Sequence, residues 1–183
     1  HSSAYYAPQT QQAMIYQNYL NANFNTYWPN GLVLGNANCS SNTLTLTSAA
    51  AVLAFLPSGG TPVPITQSYV DPTPQVLANG LAAQLVTLTL NKTFDELDPS
   101  WAASTITLDQ LVVDSGPLTG MTVAQVYQEA LNKLTGCASP YTASVLRNTV
   151  AWINSSWFLQ QKQNSVVICP PVNPKVASVS VQP

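Results

Sequence analysis

The stretch TVAQVYQEALNKLTG, residues 122–136, is the most complete helix signal in the chain. Thr122 and Gln125 form a capping box at its start, and Gly136 supplies the usual stop at its end. Between these ends the apolar residues repeat at helical spacing, namely Val123, Val126, Ala130 and Leu134. The stretch therefore predicts an amphipathic helix that buries one face against other helices.

Similar periodicity predicts four more helices, at residues 10–25, 49–56, 74–91 and about 142–157. Their expected core faces are Ala13, Tyr16, Leu20 and Phe24; Leu77, Leu81, Leu85 and Leu88; and Leu146, Val150, Ile153 and Trp157. Ser48 is the expected N-cap of the second segment, and Pro74 fits the first turn of the third. Thr142 or Ser144 caps the last one. Gly80 predicts a close approach to a neighbouring helix.

Short strands and extended ends complete the predicted architecture. Residues 32–34 and 44–46 read as short strands, and residues 106–113 mix strand and helix signals. Residues 165–169 and 176–181 alternate or cluster β-branched side chains around several prolines, which is typical of strands that need a partner. We expect this tail to pair most plausibly with a strand of a neighbouring subunit, with folding back onto its own domain as the alternative.

We therefore predict a mainly α fold, a small helical bundle with short strands and extended N- and C-terminal arms. The whole chain, 1–183, is expected to be one domain. Its parts are an extended arm (1–9), a helical core (10–164) and a β-like tail (165–183).

The composition is unusual because charged residues make up only 7% of the chain, against roughly 25% in ordinary soluble domains. The polar surface must then come from Asn, Gln, Ser and Thr, and a low net charge favours self-association. The five Lys and Arg are scattered, so we expect no nucleic-acid binding. No apolar run is long enough for a membrane span. The chain begins with His1, which is typical of a processed mature product or a trimmed chain.

Three cysteines, Cys39, Cys137 and Cys169, do not have the spacing of a zinc site. In an oxidising compartment two would pair and one would remain, and sequence alone leaves the connectivity open. We favour Cys39–Cys137, because both follow small polar turns beside predicted helices. Cys169 precedes two prolines in the extended tail.

Few residues have side chains that could bind a metal or act in catalysis. His1 is the single histidine, so a copper site that needs a second one is not expected. Asp95, Glu96 and Asp98 form one acidic cluster, which could bind Ca²⁺ or act as an acid pair, but consecutive acids after a helix usually face water. We predict no catalytic residue, no metal site and no cofactor.

The remaining candidate residues are aromatic or glycosylatable. Tyr27, Trp28 and Trp101 are candidate ligand contacts, with core packing as the alternative. The candidate assembly residues in the two arms are Tyr5, Tyr6, Val176, Val179 and Val181. The three sequons make Asn38, Asn91 and Asn154 candidate glycosylation sites.

Four motifs resemble a known group of domains: LTLTSAAAV (44–52), FLPSGGTP (55–62), LAAQLVTLTLN (81–91) and GMTVAQV (120–126). They are similar to uncharacterised domains of large secreted bacterial surface and adhesin-like proteins, notably of Bacteroidetes. The resemblance covers about residues 39–160. It implies a secreted surface protein but carries over no catalytic residue.

Together these features predict a secreted, extracellular or cell-surface structural protein that is not an enzyme. Its copies are expected to form a filament or layer by exchanging a terminal arm or strand, so the main partner is the protein itself. The alternative is a secreted module that binds a glycan or another surface ligand.

Overall fold

The computed structural model of the chain describes residues 11–56, 58–98, 106–159 and 167–170. The helices of these ranges are α1 (Gln11–Tyr27), α2 (Ala49–Phe55), α3 (Gly80–Leu97), α4 (Val123–Thr135) and α5 (Ala143–Leu159). The strands are β1 (Leu32–Gly35), β2 (Thr43–Leu46), β3 (Tyr69–Val70), β4 (Val112–Val113) and β5 (Val167–Ile168), and a 3₁₀ turn spans Leu108–Gln110. The predicted mainly α fold is confirmed.

Helix α3 is the centre of the bundle. It packs against both α4 and α5, and apolar side chains around much of its circumference are buried, as expected for a helix enclosed by others. The predicted start at Pro74 is wrong. Asn79 is the N-cap, because its side-chain oxygen accepts hydrogen bonds from the backbone N–H groups of Leu81 (3.0 Å) and Ala82 (3.2 Å). The predicted end at Asn91 is also wrong, since the helix continues to Leu97.

The other predicted helix ends agree closely with the structure. Ser48 caps α2 by accepting from Ala51 N, and the Thr122–Gln125 capping box opens α4. Gly136 ends α4 in the left-handed conformation at φ 87°. Of the two candidates for α5, Thr142 is the cap, because its hydroxyl accepts from Val145 N at 3.2 Å.

The predicted close approach at Gly80 exists, but its nearest neighbour is a loop. A Cβ at this position would lie 2.9 Å from the backbone oxygen of Gly60, and Arg147 of α5 comes next at 3.5 Å. Gly80 therefore lets the start of α3 pass under the loop that follows α2.

Sheet A has the strand order β1-β2-β3, with β1 and β2 antiparallel and β2 and β3 parallel. Alternation puts one set of side chains into the core, and these are fully buried: Leu32, Leu34, Leu44 and Leu46. The opposite face presents Val33, Thr45 and Val70, which are in register across the three strands.

Sheet B joins the middle of the chain to its C-terminal part. Strand β4 pairs antiparallel with β5, with Val112 opposite Ile168 and Val113 opposite Val167. Val113 and Val167 point inward and are buried. The mixed signal at residues 106–113 thus corresponds to a 3₁₀ turn followed by a strand.

Candidate functional site

A small hollow of about 100 Å³ lies beside the C-terminal half of α3. Lys92 and Glu96 line it from α3, and Thr107 and Asp109 line it from the 3₁₀ region. Lys92 Nζ lies 3.0 Å from Asp109 Oδ1 and 3.8 Å from the centre of the Tyr127 ring. The hollow is far smaller than the roughly 300–1,000 Å³ of typical ligand pockets, so its side chains mainly join α3, α4 and the 3₁₀ turn.

The acidic cluster of the sequence is divided among three places. Asp95 Oδ2 accepts from the backbone N–H of Leu108 at 2.6 Å, and Asp98 Oδ2 accepts from the Tyr19 hydroxyl at 2.6 Å. Glu96 alone of the three lines the hollow. Within the described ranges no three His, Cys, Asp or Glu side chains converge as metal ligands would.

Burial raises the pKa of Asp95, and the negative charges of Asp109 and Glu96 act in the same direction. The hydrogen bond from Leu108 N opposes these effects by stabilising the carboxylate. Burial likewise raises the pKa of Tyr127, whose hydroxyl lies 3.1 Å from Thr89 Oγ1. These side chains hold the 3₁₀ turn and α4 against α3.

The candidate ligand contacts Tyr27 and Trp28 belong to an aromatic cluster at the end of α1. Their ring centres each lie 5.9 Å from that of Phe94, and Trp28 also packs on Phe24. The hydroxyls of Tyr19 and Tyr27 are 3.0 Å apart. Both candidate residues are half-buried and pack against the core, as the alternative interpretation expected. Trp101 lies outside the described residues.

Sequence reasoning did not single out Trp152. This side chain lies on α5 and is 47% exposed, with the edge of its ring near Gly116. Two exposed polar residues, Asn148 and Ser155, lie one turn before it and one turn after it on the same helix. The helical pattern gave no signal for it, because Trp152 falls outside the apolar stripe of α5.

Two of the three candidate glycosylation sites are buried in the folded protein. Asn91 and Asn154 are fully buried, and Asn91 Nδ2 donates to Asn154 Oδ1 at 3.0 Å. Asn154 Nδ2 in turn donates to the backbone oxygen (3.1 Å) and Oε1 (3.0 Å) of Gln84. Asn38 is exposed and remains a candidate.

The predicted Cys39–Cys137 disulfide is confirmed, with Cα atoms 5.8 Å apart, and Cys169 is a free, exposed thiol. Beside the disulfide, Asn36 Nδ2 donates to Asn132 Oδ1 at 2.7 Å. The link ties the loop after β1 to the end of α4.

The C-terminal tail differs in part from expectation. Its first segment was expected to pair most plausibly with a neighbouring subunit, yet β5 pairs with β4 of the same chain, which was the alternative. The arm residues Tyr5, Tyr6, Val176, Val179 and Val181 lie outside the described residues.

Comparison with known proteins identifies no relative. No family model, no curated protein and no solved structure matches the chain. Among the described helices, none combines the length and the apolar character that crossing a membrane requires.

Proposed function

We propose that this chain is a secreted, extracellular structural protein, a subunit of a surface filament or layer whose copies join through terminal-arm or strand exchange. The observation that carries this proposal is that a short strand pairing, the kind of contact that an exchanged arm makes, holds the C-terminal segment within its own chain. After α5 the chain returns as the two-residue strand β5 and adds to β4 by strand pairing. Strand addition is a common way for one chain to hold another, because main-chain hydrogen bonds supply affinity.

The disulfide supports the extracellular part of the proposal. Disulfides persist mainly in oxidising compartments, and Cys39–Cys137 joins residues 98 positions apart. Such a link stabilises a domain that has left the cell.

The scarcity of charge supports the self-assembly part. With 7% charged residues and a net charge of -2, copies of the chain repel each other weakly. A surface rich in neutral amide and hydroxyl groups therefore permits close association.

Electron microscopy and light scattering of the full chain, with and without the whole C-terminal tail (residues 165–183), test the proposal. We expect the full chain to form ordered assemblies, and the truncated chain to keep its helical circular dichroism while assembly stops. A truncated chain that still polymerises, or that simply unfolds as a monomer, contradicts arm exchange.

We also propose that the protein has no hydrolytic or redox activity. A screen against polysaccharide, ester and peptide substrates tests this. Turnover that is abolished by Asp95→Asn or Glu96→Gln alone would overturn it.

Trp152 favours one second candidate, a secreted glycan- or ligand-binding module. A half-exposed indole flanked by amide and hydroxyl groups suits stacking against a neutral sugar ring. On this candidate, Trp152→Ala removes binding on a glycan array, while Val33→Ala, which trims another exposed apolar side chain, leaves it unchanged. If glycan binding survives Trp152→Ala, Trp152 is not the binding residue and this candidate is excluded.

A further inference from the structure

We infer that the edge of β4 is an acceptor site for the β5 strand of a second copy of this chain. The inference rests on the proposed function and specifies where the exchange takes place.

Strand β4 has two edges, and one of them is paired with the segment that follows it in the chain. Val113 N donates to Met121 O at 2.9 Å, Gly120 N to Val113 O at 2.8 Å, and Val123 N to Leu111 O at 2.9 Å. These partners are joined to β4 by the short loop 114–119, so they pair with β4 of their own molecule. The other edge of β4 is the one that β5 covers.

The β5 strand contacts this edge through one buried side chain as well as through its backbone. Val167 is 7% exposed and belongs to the hydrophobic core, where it lies opposite Val113. Ile168 and Val112 face the opposite side, where Ile168 is exposed and Val112 is partly buried. An occupant of this edge must therefore bring a small β-branched side chain inward at one defined position, which a second copy of β5 does by construction.

The short length of β5 makes the exchange accessible. A two-residue strand contributes few main-chain hydrogen bonds, and an isolated strand pair of this size is not stable by itself. Terminal segments with few contacts detach locally at low cost. The contacts regained are the same within one chain or between two, so concentration and the connection to α5 decide which form dominates.

Cysteine cross-linking between two different chains tests the acceptor edge. Both chains are full length and carry Cys169→Ser; one also carries Val112→Cys and the other Ile168→Cys with a size tag. Residues directly opposite in antiparallel strands have Cα atoms about 4.5–5.5 Å apart, which is within disulfide range. Val112 is only partly buried and Ile168 is exposed, so we expect both substitutions to preserve the fold.

The two chains are mixed, taken through mild urea and back, and oxidised gently. We expect a disulfide-linked heterodimer joined through positions 112 and 168, identified by mass spectrometry. A control mixture with Val70→Cys, an exposed position on sheet A, in place of Val112→Cys should give several-fold less heterodimer. The doubly substituted chain, carrying Val112→Cys and Ile168→Cys together, reports whether the strands pair at all.

Heterodimer no more abundant than in the control, with the doubly substituted chain closing only within itself, overturns the inference. If microscopy then still shows assemblies, the exchange edge is wrong while the proposed function stands. If the full chain forms no assembly under any condition, the proposed function itself fails.

Discussion

Gly59 and Gly60 are neighbours in the loop after α2, but the fold constrains them very differently. Gly60 has φ 99°, and a Cβ there would lie 2.5 Å from the backbone oxygen of Ala78. At Gly59 a Cβ would meet nothing within 4 Å. We predict that Gly60→Ala lowers the free energy of unfolding by about 1–3 kcal/mol, because it imposes backbone strain.

The matched variant Gly59→Ala should change stability by less than about 1 kcal/mol, with either sign. Urea unfolding of both variants measures the difference. Equal midpoints for the two would mean that the loop moves freely away from α3.

A second prediction at the scale of one residue concerns the effect of Asp95 on the pH dependence of stability. Its pKa is raised in the folded state, so the folded protein holds this proton more tightly than the unfolded chain does. The free energy of unfolding should therefore fall as the pH rises from about 4, where a free Asp ionises, through the raised pKa. Asp95→Asn keeps an oxygen for Leu108 N and removes the ionisation, so its stability should fall less across this window.

Unfolding curves at several pH values between about 4 and 7 test this prediction. Asp114→Asn removes the same charge from an exposed position and controls for net charge. If Asp95→Asn and the unmodified protein show the same pH dependence, burial of Asp95 does not affect folding.

At the scale of elements, buried amides join α3 to α5. Asn154 accepts from Asn91 and donates to Gln84, and all of these bonds lie between the two helices. We predict that Asn154→Ala lowers the free energy of unfolding by about 1–3 kcal/mol, because the buried amide of Asn91 and the oxygens of Gln84 lose their hydrogen-bond partner where water cannot replace it.

Asn148→Ala on the same helix is the control, since Asn148 is exposed and its Oδ1 accepts a hydrogen bond from the neighbouring Arg147 side chain. This variant should stay within about 0.5 kcal/mol of the unmodified protein. Thermal and urea unfolding provide both numbers. If Asn154→Ala left the free energy of unfolding unchanged, the two helices would hold together through apolar packing alone.

At the scale of the whole molecule, the disulfide restrains the unfolded chain more than any local contact does. It closes a loop of 98 residues, which the chain-entropy account converts to about 4–5 kcal/mol. The double variant Cys39→Ser with Cys137→Ser should lose stability of this order, and the reduced protein should behave in the same way.

Cys169→Ser is the control and should leave the urea midpoint unchanged, because this thiol is free and exposed. Peptide mapping without reduction provides an independent check of the pairing. Finding Cys169 bonded to Cys39 or Cys137 would contradict the assignment.

Much of the local structure could be predicted because it depends on neighbours in sequence. Helix caps form between groups three or four residues apart, so a short segment of sequence is enough to predict them, as at Ser48, Thr122 and Gly136. The start of α3 was misplaced because Pro74 is also compatible with a first helical turn. Residue preferences alone do not decide between Pro74 and Asn79, and it is the two hydrogen bonds to the Asn79 side chain that mark the actual start. The disulfide was inferred from turn positions, but its closure depends on the packing of α4 beside the sheet.

The sequence by itself determined the mainly α class, the positions of most helices and the near absence of charge, because composition and periodicity are properties of the chain. Only the tertiary structure decided which residues are available for function. It buried Asn91 and Asn154, packed Tyr27 and Trp28 onto Phe94, exposed Trp152 and placed Val167 against Val113. The physical reason is that burial and strand partnership are set by contacts between distant segments, and a single sequence does not record which segments meet.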